Sequence, residues 1–394
     1  MTAEYQDFSS INLRTKDGPL VVTWDTGRRC NYDCSYCPAH RHDNFSPHAS
    51  LDELKKVGKF VLDYGKLINK YRNHKQLNIS FTGGEPTVNP NFITFGEWLE
   101  SYRDNYIDDY YLVLSLTTNG AFGKKMAESI LRVYEALTIS YHVEAHQKLK
   151  DQAVGNIYYF NENNFACKVN VMFHAQHFDE CIDLCDRFDR DGIKYVPRMI
   201  GEEGASPHAH MYTDEQLSWM NDYWKRDKEK ISRNASTGEL VKQSSPNEKA
   251  KSYKENTAEV LGRPCCGART MSTCGTDGCW TKTKFLNYRR FKDWYCSVNW
   301  YFLHIEQQTN QIFHHQTCQA KFDGTRGAIG TCTECNDILD FLKDKIQTNT
   351  MPIIKCPLGP GKLCGCGLCA PKSTNLNNLK SMLPQHLNNL DIFG

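Results

Sequence analysis

Three cysteines lie close together in the segment RRCNYDCSYCPAH, at residues 28–40. The thiols of Cys30, Cys34 and Cys37 have the spacing Cys-x3-Cys-x2-Cys and follow an apolar run, PLVVTWDT. Thiolates are the usual protein ligands of iron–sulfur clusters, and a cubane [4Fe–4S] cluster has four iron corners. Three protein thiolates therefore leave one iron open. A structural zinc site would need a fourth, distant ligand, and the loop alone leaves that alternative open.

Further short motifs follow other apolar runs. GGEP, residues 83–86, ends the run LNISFTGG, and TTNG, residues 117–120, ends YLVLSLTTNG. TISYH, residues 138–142, lies in the next run and contains Ser140. Glycine allows the backbone to approach a ligand closely, and the turn carbonyls or Glu85 could face an ammonium group. GGEP or TTNG alone is an ordinary turn, so it is the order of the motifs along the chain that is informative.

The elements that must position these motifs are six β-rich runs with helical patterns between them. The runs cover residues 20–26, 77–84, 111–120, 136–144, 168–175 and 193–200, and each predicts a buried strand. Helical patterns cover residues 50–71, 124–136, 177–188 and 213–231. Strand–helix repeats predict a parallel sheet with right-handed crossovers. Since eight units close a full barrel, we predict an α/β fold, a partial (β/α)6 TIM-like barrel with its chemistry at the C-terminal strand ends.

Composition excludes several other classes of protein. The 394 residues are 40% hydrophobic and 24% charged, with a formal net charge of +1, which predicts a folded protein without a general attraction to nucleic acid. No apolar run is long enough to cross a membrane, and the first twenty residues lack a secretory pattern, so we expect a cytoplasmic protein. The 18 cysteines favour metal or iron–sulfur ligation over disulfides.

The chain is predicted to divide into five parts. These are a leader segment (1–18), the partial barrel (19–232), a polar linker or surface excursion (233–260), a cysteine-rich domain (261–372) and a tail with a docking helix (373–394). Twelve of the cysteines lie between residues 265 and 369. A hairpin is predicted from strands at 300–305 and 312–318, and a short helix at 335–346.

The cysteine loop, GGEP, TTNG and TISYH, each at a strand end and in this order, resemble the motifs of the radical S-adenosylmethionine (radical SAM) enzymes. The resemblance implies that Cys30, Cys34 and Cys37 hold a [4Fe–4S] cluster whose open iron binds the amino and carboxylate groups of SAM. Reductive cleavage of SAM would give methionine and a 5′-deoxyadenosyl radical that abstracts hydrogen from a substrate.

The same resemblance implies roles for other residues. The residues assigned to the cofactor are Tyr36 beside the nucleotide, Gly83, Gly84 and Glu85 at the methionyl amino group, and Thr118, Asn119 and Ser140 at the ribose and carboxylate. Arg198 is either a carboxylate partner or part of the barrel rim. Three residues near strand ends, His142, Glu144 and His174, are candidate substrate contacts, although strand alternation turns about half of such side chains away.

The cysteine-rich segment resembles the auxiliary-cluster extensions of the family, called twitch and SPASM. Cys296 and Cys318 flank the hairpin as in those extensions, although the spacing is longer and the region of Asn310 replaces the turn glycine. The further candidate ligands are Cys332, Cys335, Cys356, Cys364, Cys366 and Cys369, and an additional set is Cys265, Cys266, Cys274 and Cys279. We predict one or two auxiliary [4Fe–4S] clusters, with a zinc ribbon as the alternative. Cys167, Cys181 and Cys185 are expected to be buried thiols.

Modification of a peptide or protein side chain is the leading functional hypothesis. The alternative is modification of a small metabolite, sugar or nucleoside. A non-enzymatic iron–sulfur electron carrier is a more distant alternative, and the three-cysteine loop counts against it. The balanced charge makes a nucleic-acid substrate an unfavoured hypothesis. Expected partners are the substrate and an electron donor such as flavodoxin or ferredoxin.

Overall fold

A computed structural model describes residues 10–11, 19–38, 41–72, 76–104, 110–200, 211–225, 230–233, 240–243, 293–315, 318, 320–322, 325–348, 352–357 and 371–383. Of the helices in these ranges, none combines the length and apolar character needed to cross a membrane. Seven of the predicted metal ligands lie outside the described residues: Cys265, Cys266, Cys274, Cys279, Cys364, Cys366 and Cys369.

All six predicted barrel strands are present and pair in sequence order. They are β2 (Leu20–Asp25), β3 (Gln76–Thr82), β4 (Tyr111–Thr118), β5 (Ala136–His142), β6 (Cys167–Phe173) and β7 (Tyr195–Met199). Every neighbouring pair among them is parallel. This confirms the α/β fold class and the partial TIM-like barrel.

Helices connect the strands and cover one face of the sheet. They are α1 (Leu51–Arg72), α2 (Phe92–Glu100), α3 (Lys124–Val133), α4 (Gln147–Glu162), α5 (Phe178–Arg190) and α6 (Asp214–Lys225). The sequence analysis did not single out α2 and α4. The N-terminus of α1 is closed by a capping box, in which Ser50 Oγ accepts from Glu53 N (3.3 Å) and Glu53 Oε2 accepts from Ser50 N (2.7 Å).

Side-chain alternation gives the sheet two different faces. On β2, Leu20, Val22 and Trp24 are fully buried and belong to the core beneath the helices. The residues between them on the same strand are only partly buried and point to the opposite, inner face, which ends with Asp25. The same alternation runs along β3, β5 and β7. Functional side chains on this sheet are therefore expected on the inner face.

The predicted hairpin is present, and it extends the barrel sheet. Its strands are β11 (Phe302–Glu306) and β12 (Gln311–Phe313), followed by β13 (Gly330–Thr331). Strand β11 pairs in parallel with β2, so the barrel strands belong to a nine-stranded sheet that crosses the predicted boundary between barrel and cysteine-rich domain. Helix α1 adds contacts to this segment, since Tyr64 Oη donates to Asn299 O (2.7 Å).

Two other small sheets complete the described fold. Strands β8 (Lys230–Arg233) and β9 (Leu240–Gln243) form an antiparallel pair. Strand β9 lies in the predicted linker, whereas β8 begins within the stretch predicted as helix at 213–231, so that helix ends earlier than predicted, at Lys225. A four-stranded sheet contains β1 (Ser10–Ile11), β10 (Tyr295–Cys296), β14 (Ile354–Lys355) and β15 (Lys372–Ser373). Helix α7 (Asn336–Gln347) matches the predicted short helix, and α8 (Leu376–Met382) lies in the predicted tail.

Candidate active site at the C-terminal ends of the barrel strands

The three-cysteine loop follows β2 directly and lies over the ends of β4 and β5. Cys34 is buried, and Cys30 and Cys37 are half-buried, in one cluster of side chains with Tyr32 and Ala121. Burial raises the pKa of the Cys30 thiol to about 11 and that of Cys34 to about 12. Binding of a metal cluster as thiolates would therefore release protons.

The donor set of this loop fits an iron–sulfur cluster with three protein ligands. Cys30 Sγ accepts a hydrogen bond from Tyr32 N (3.3 Å), and Asn119 Nδ2 lies 4.0 Å from the same sulfur. N–H groups directed at sulfur are typical partners of cluster thiolates. Within the described ranges, no three side chains among His, Cys, Asp and Glu converge as ligands of a single metal ion would. A cubane is ligated through separate iron atoms, so its thiolates stand further apart than ligands of one ion.

The side chain of Glu85, in the GGEP turn, is buried and bonds to its own turn and to the TTNG turn. Its carboxylate is 2% exposed and accepts hydrogen bonds from Thr87 N, Thr87 Oγ1, Thr118 Oγ1 and Asn119 N at 2.6–3.0 Å. Both carboxylate oxygens of Glu85 thus bond inside the protein, which leaves the turn carbonyls as the candidates to face the ammonium of SAM, and the contact of this turn with SAM stays a prediction. Burial raises the pKa of this carboxyl group. Glu85 connects the GGEP turn to the TTNG turn.

The side chains of Thr118 and Asn119 also make hydrogen bonds inside the protein, and their predicted contacts with SAM stay predictions. Thr118 Oγ1 donates to Glu85 and accepts from Gly120 N (3.1 Å), so this hydroxyl is used internally. Asn119 Nδ2 donates to Asn31 Oδ1 (2.6 Å), while Asn119 Oδ1 accepts from Ala121 N (2.9 Å). These two residues orient the cysteine loop. Sequence reasoning missed Asn31, for which the only signal was an amide residue inside a turn-rich loop.

Gly83 and Gly84 allow the GGEP turn to touch the cysteine loop backbone. Gly84 N donates to Gly27 O (2.7 Å), and Glu85 N donates to Arg29 O (2.9 Å). Gly83 has φ of +132°, in the region that favours glycine. A Cβ added at Gly84 would lie 2.2 Å from Arg28 O, which no neighbouring backbone could accommodate without moving. The turn therefore sets the position of the loop that carries the thiols.

A Gly84→Ala variant is expected to lose most of the iron of the three-cysteine site and about 2–3 kcal/mol of unfolding free energy, because the methyl group forces the two backbones apart. Iron analysis after anaerobic reconstitution and urea unfolding measure the two effects. Gly155→Ala is the matched control, since an added Cβ there meets nothing within 4 Å. Equal loss of iron in both variants would show that the contact at Gly84 has no special role.

Tyr36 and His142 pair beside the cysteines. Their rings stack at 5.9 Å between centroids with an angle of 14°, and Tyr36 Oη hydrogen-bonds His142 Nδ1. The same His142 nitrogen lies 3.6 Å from Cys34 Sγ. Burial lowers the pKa of His142 to about 4, so its imidazole is neutral at physiological pH. Tyr36, the predicted nucleotide contact, and His142, a predicted substrate contact, are thus neighbours.

The other two candidate substrate residues lie next to this pair. Glu144 Oε1 accepts from Ser35 Oγ (2.7 Å) and lies 4.0 Å from His174 Nε2. Glu144 Oε2 is buried and makes no hydrogen bond within the described part of the chain. The structure therefore brings His142, Glu144 and His174 to the edge of the cysteine loop.

Ser140 and Arg198 share the inner face of the sheet. Strand pairing places Ser140 opposite Asn170, and Arg198 Nε approaches Asn170 Oδ1 at 3.5 Å. Both residues are half-buried. Their side chains line the concave face below the loop, where either the SAM carboxylate or a substrate could reach them, so their predicted roles stay predictions.

The described auxiliary cysteines fall into separate places. Cys296 of β10 pairs with Ile354, while Cys356 N donates to Trp294 O (2.9 Å), so the two cysteines lie on the same face of neighbouring strands. Cys318 is half-buried in the turn after β12. Cys332 and Cys335 are buried at the start of α7, and burial raises the pKa of each thiol, that of Cys332 to about 12.

Residues 24–188 match the family model described as the Radical SAM superfamily. This range begins at the end of β2, runs into α5, and contains the cysteine loop, the GGEP turn and the TTNG turn.

Curated relatives match over shorter stretches. An uncharacterized protein of Methanocaldococcus jannaschii is 31% identical over 115 residues, which are 29% of this chain and 35% of the relative. Radical SAM cyclopropyl synthase TigE of Paramaledivibacter caminithermalis is 27% identical over 30% of this chain and 25% of the relative. A probable GTP 3′,8-cyclase of Methanococcus maripaludis is 31% identical over 26% of this chain and 29% of the relative. The matched region thus spans about a third or less of these relatives.

Among solved structures, native anSMEcpe with bound AdoMet aligns over 80% of this chain and 78% of its own length, at 15% identity and a TM-score of 0.46. The range that matches the family model contains the three-cysteine loop, the GGEP turn bonded to it and the neighbouring strand ends. Residues 24–188 of this chain therefore match the Radical SAM superfamily in the region that carries the candidate site.

Proposed function

We propose that this protein is a radical SAM enzyme that modifies a peptide or protein side chain held against the inner face of the sheet. Cys30, Cys34 and Cys37 would hold the [4Fe–4S] cluster. When bound, that cluster would supply the electron that cleaves SAM to methionine and a 5′-deoxyadenosyl radical. The observation that carries the proposal is the three-thiol loop joined to the GGEP turn by backbone hydrogen bonds.

The residues of this chain would bind and shield the reactants. Backbone groups of Gly83 and Gly84, which pack against the cysteine loop, would face the amino group of SAM. Tyr36 stacked on His142 would give a flat surface for the nucleotide base. Glu144, with one buried oxygen that has no partner among the described residues, offers an acceptor to a substrate N–H or O–H group. These groups are partly buried, which limits the access of water to a reactive intermediate.

Peptide or protein modification is favoured over a small metabolite by the cysteine-rich segment. Within the family, such C-terminal extensions most often accompany modification of a peptide or protein. In this chain the segment is structurally joined to the barrel, because β11 pairs with β2 and adds Glu306 to the inner face. The extension therefore contributes directly to the surface on which a substrate would lie.

The substrate class can be tested by deuterium transfer. The reconstituted enzyme is incubated with SAM, dithionite and an extract of cells grown in deuterated medium, before and after protease treatment of the extract. Deuterium should appear in 5′-deoxyadenosine with the untreated extract and disappear after proteolysis. Transfer that survives proteolysis and passes a small-molecule filter would instead support the metabolite alternative.

One or two auxiliary clusters are part of the proposal. Cys296 and Cys356 share one sheet face, and Cys332 and Cys335 precede α7, where Lys56 Nζ of α1 donates to Thr333 O (2.6 Å). A chain with Cys30, Cys34 and Cys37 all replaced by alanine should retain about four iron atoms for one auxiliary cluster or about eight for two. Zinc in place of iron would support the zinc-ribbon alternative.

The electron donor and the compartment are also proposals. A flavodoxin or ferredoxin would supply the electron in a reducing cytoplasm, where the many thiols of this chain would stay unoxidised. Reduction of the reconstituted protein by a flavodoxin system in place of dithionite would support this donor.

A further inference from the structure

Two carboxylates meet at the edge where the cysteine-rich segment joins the barrel. Asp25 is the last residue of β2, and strand pairing places it directly opposite Glu306, the last residue of β11. Neighbouring strands lie about 4.8 Å apart, and paired residues point to the same face. The sequence analysis missed both residues, because the pairing joins distant parts of the chain.

A buried imidazole completes this group. The His304 side chain is 2% exposed, and its Nε2 lies 3.3 Å from Glu306 Oε1. Burial is the main cause that lowers the pKa of His304, so the ring does not supply a full positive charge. Its Nδ1 is buried and makes no close hydrogen bond within the described residues, although the backbone of Thr23 also acts on the ring. Thr309 Oγ1 donates to the other Glu306 oxygen (3.0 Å).

Neither carboxylate makes an ion pair with a Lys or Arg among the described side chains. Within the described part of the chain, the ion pairs of Lys and Arg involve other carboxylates, and Glu306 pairs with His304. Asp25 Oδ1 accepts only a backbone hydrogen bond, from Gly27 N (3.1 Å). Burial, with the charge of Glu306 adding to it, raises the pKa of Asp25 to about 6, while the Gly27 hydrogen bond and the charges of Arg41 and Arg28 act in the opposite direction.

The group lies on the same face as the candidate substrate residues. Strand pairing places Asp25 beside Glu306 and Thr82, and Thr117 beside Thr138. By strand alternation these residues share the inner face with Ser140. This row is formed by polar side chains only. A ligand lying along it below the cysteine loop would reach the carboxylates at one end.

We propose that Asp25, His304 and Glu306 bind a cationic group of the substrate, an ammonium or a guanidinium. The inference rests on the proposed function, because it takes the inner face as the substrate surface. Two carboxylates can accept several N–H donors from one cation, and charge-assisted hydrogen bonds of this kind are the strong ones. The barrel strand and the cysteine-rich segment each supply one carboxylate, so the subsite forms only when both are in place.

The test uses the full-length reconstituted protein with SAM and two matched pairs of probes. N-acetylarginine amide is compared with its neutral citrulline counterpart, and N-acetyllysine amide with its Nε-acetylated form, by isothermal titration calorimetry. At least one cationic probe should bind about tenfold or more tightly than its neutral partner. Glu306→Gln should remove this preference, while Glu128→Gln on exposed α3 should keep it. Equal binding of charged and neutral probes, or a preference that survives Glu306→Gln, would overturn the proposal.

The pH dependence gives a second readout. Asp25 must be ionised to attract a cation, so affinity for the cationic probe should rise between pH 5 and pH 7, around the pKa of about 6. Asp25→Asn should flatten that rise. If Arg41 fills the site itself, the probe will bind only to Arg41→Gln protein, which would also contradict the proposal.

Failure of this inference can be told apart from failure of the proposed function. If wild-type protein cleaves SAM but shows no preference for cationic probes, the proposed subsite is excluded and the radical SAM function is not affected. Wild-type protein that does not cleave SAM would contradict the function itself, whatever the probes do.

Discussion

Replacing Glu85 with alanine is expected to abolish SAM cleavage and to lower the free energy of unfolding by about 3 kcal/mol. The carboxylate accepts four hydrogen bonds from two turns, and its removal leaves Thr87 N and Asn119 N buried without an acceptor. Each unsatisfied buried donor costs about 1–3 kcal/mol, partly offset because a buried carboxylate is also removed. Urea unfolding, iron content and 5′-deoxyadenosine formation measure the result.

Two further variants separate the role of Glu85 from a general loss of charge. Glu128→Ala, at an exposed position of α3, should change neither stability nor SAM cleavage appreciably. Glu85→Gln keeps the shape and one acceptor oxygen, so we expect a smaller loss than with alanine. If Glu85→Ala kept full iron content and normal SAM cleavage, the hydrogen bonds by which Glu85 connects the two turns would not be needed for the site.

The raised pKa of Glu85 also predicts a pH dependence of stability. Because burial disfavours the ionised form in the folded state, the folded chain holds this proton more tightly than the unfolded chain. The contribution of this group to stability is therefore fully present below the unfolded pKa of about 4.5 and decreases as pH rises through the folded pKa. Glu85→Gln should remove that part of the pH dependence in urea unfolding.

The barrel strands and the thiol loop could be predicted from sequence for a clear physical reason. Alternating burial along runs such as LVVTWDT follows directly from the two-residue period of a strand. The spacing of Cys30, Cys34 and Cys37 keeps them on one loop whatever the surrounding fold. The capping box of Ser50 and Glu53 is equally local. Each of these features depends on residues that are neighbours in the chain.

Other features depend on side-chain direction or distant pairing, which sequence patterns do not contain. The GGEP motif correctly predicted a turn at this place. It did not predict that the Glu85 carboxylate points inward and accepts hydrogen bonds from the TTNG turn. The hairpin was predicted from its own pattern, yet its pairing with β2 required the folded sheet. For that reason the pair of Asp25 and Glu306 became visible only in the structure.

Replacing Cys30, Cys34 and Cys37 together with alanine should lower SAM cleavage at least about a hundredfold, because no thiolate of the loop would be left to hold the cluster. The variant should remain folded, since Cys34 is the only one of the three that is buried and alanine is close to it in size. Circular dichroism and a melting temperature within a few degrees of wild type would verify this.

The central claim is tested most directly by 5′-deoxyadenosine formation. Anaerobically reconstituted wild-type protein is incubated with SAM and dithionite beside the triple alanine variant, and 5′-deoxyadenosine and methionine are quantified by mass spectrometry. The account predicts both products from the wild type and background levels from the folded variant. Equal formation of 5′-deoxyadenosine by the two proteins would contradict it.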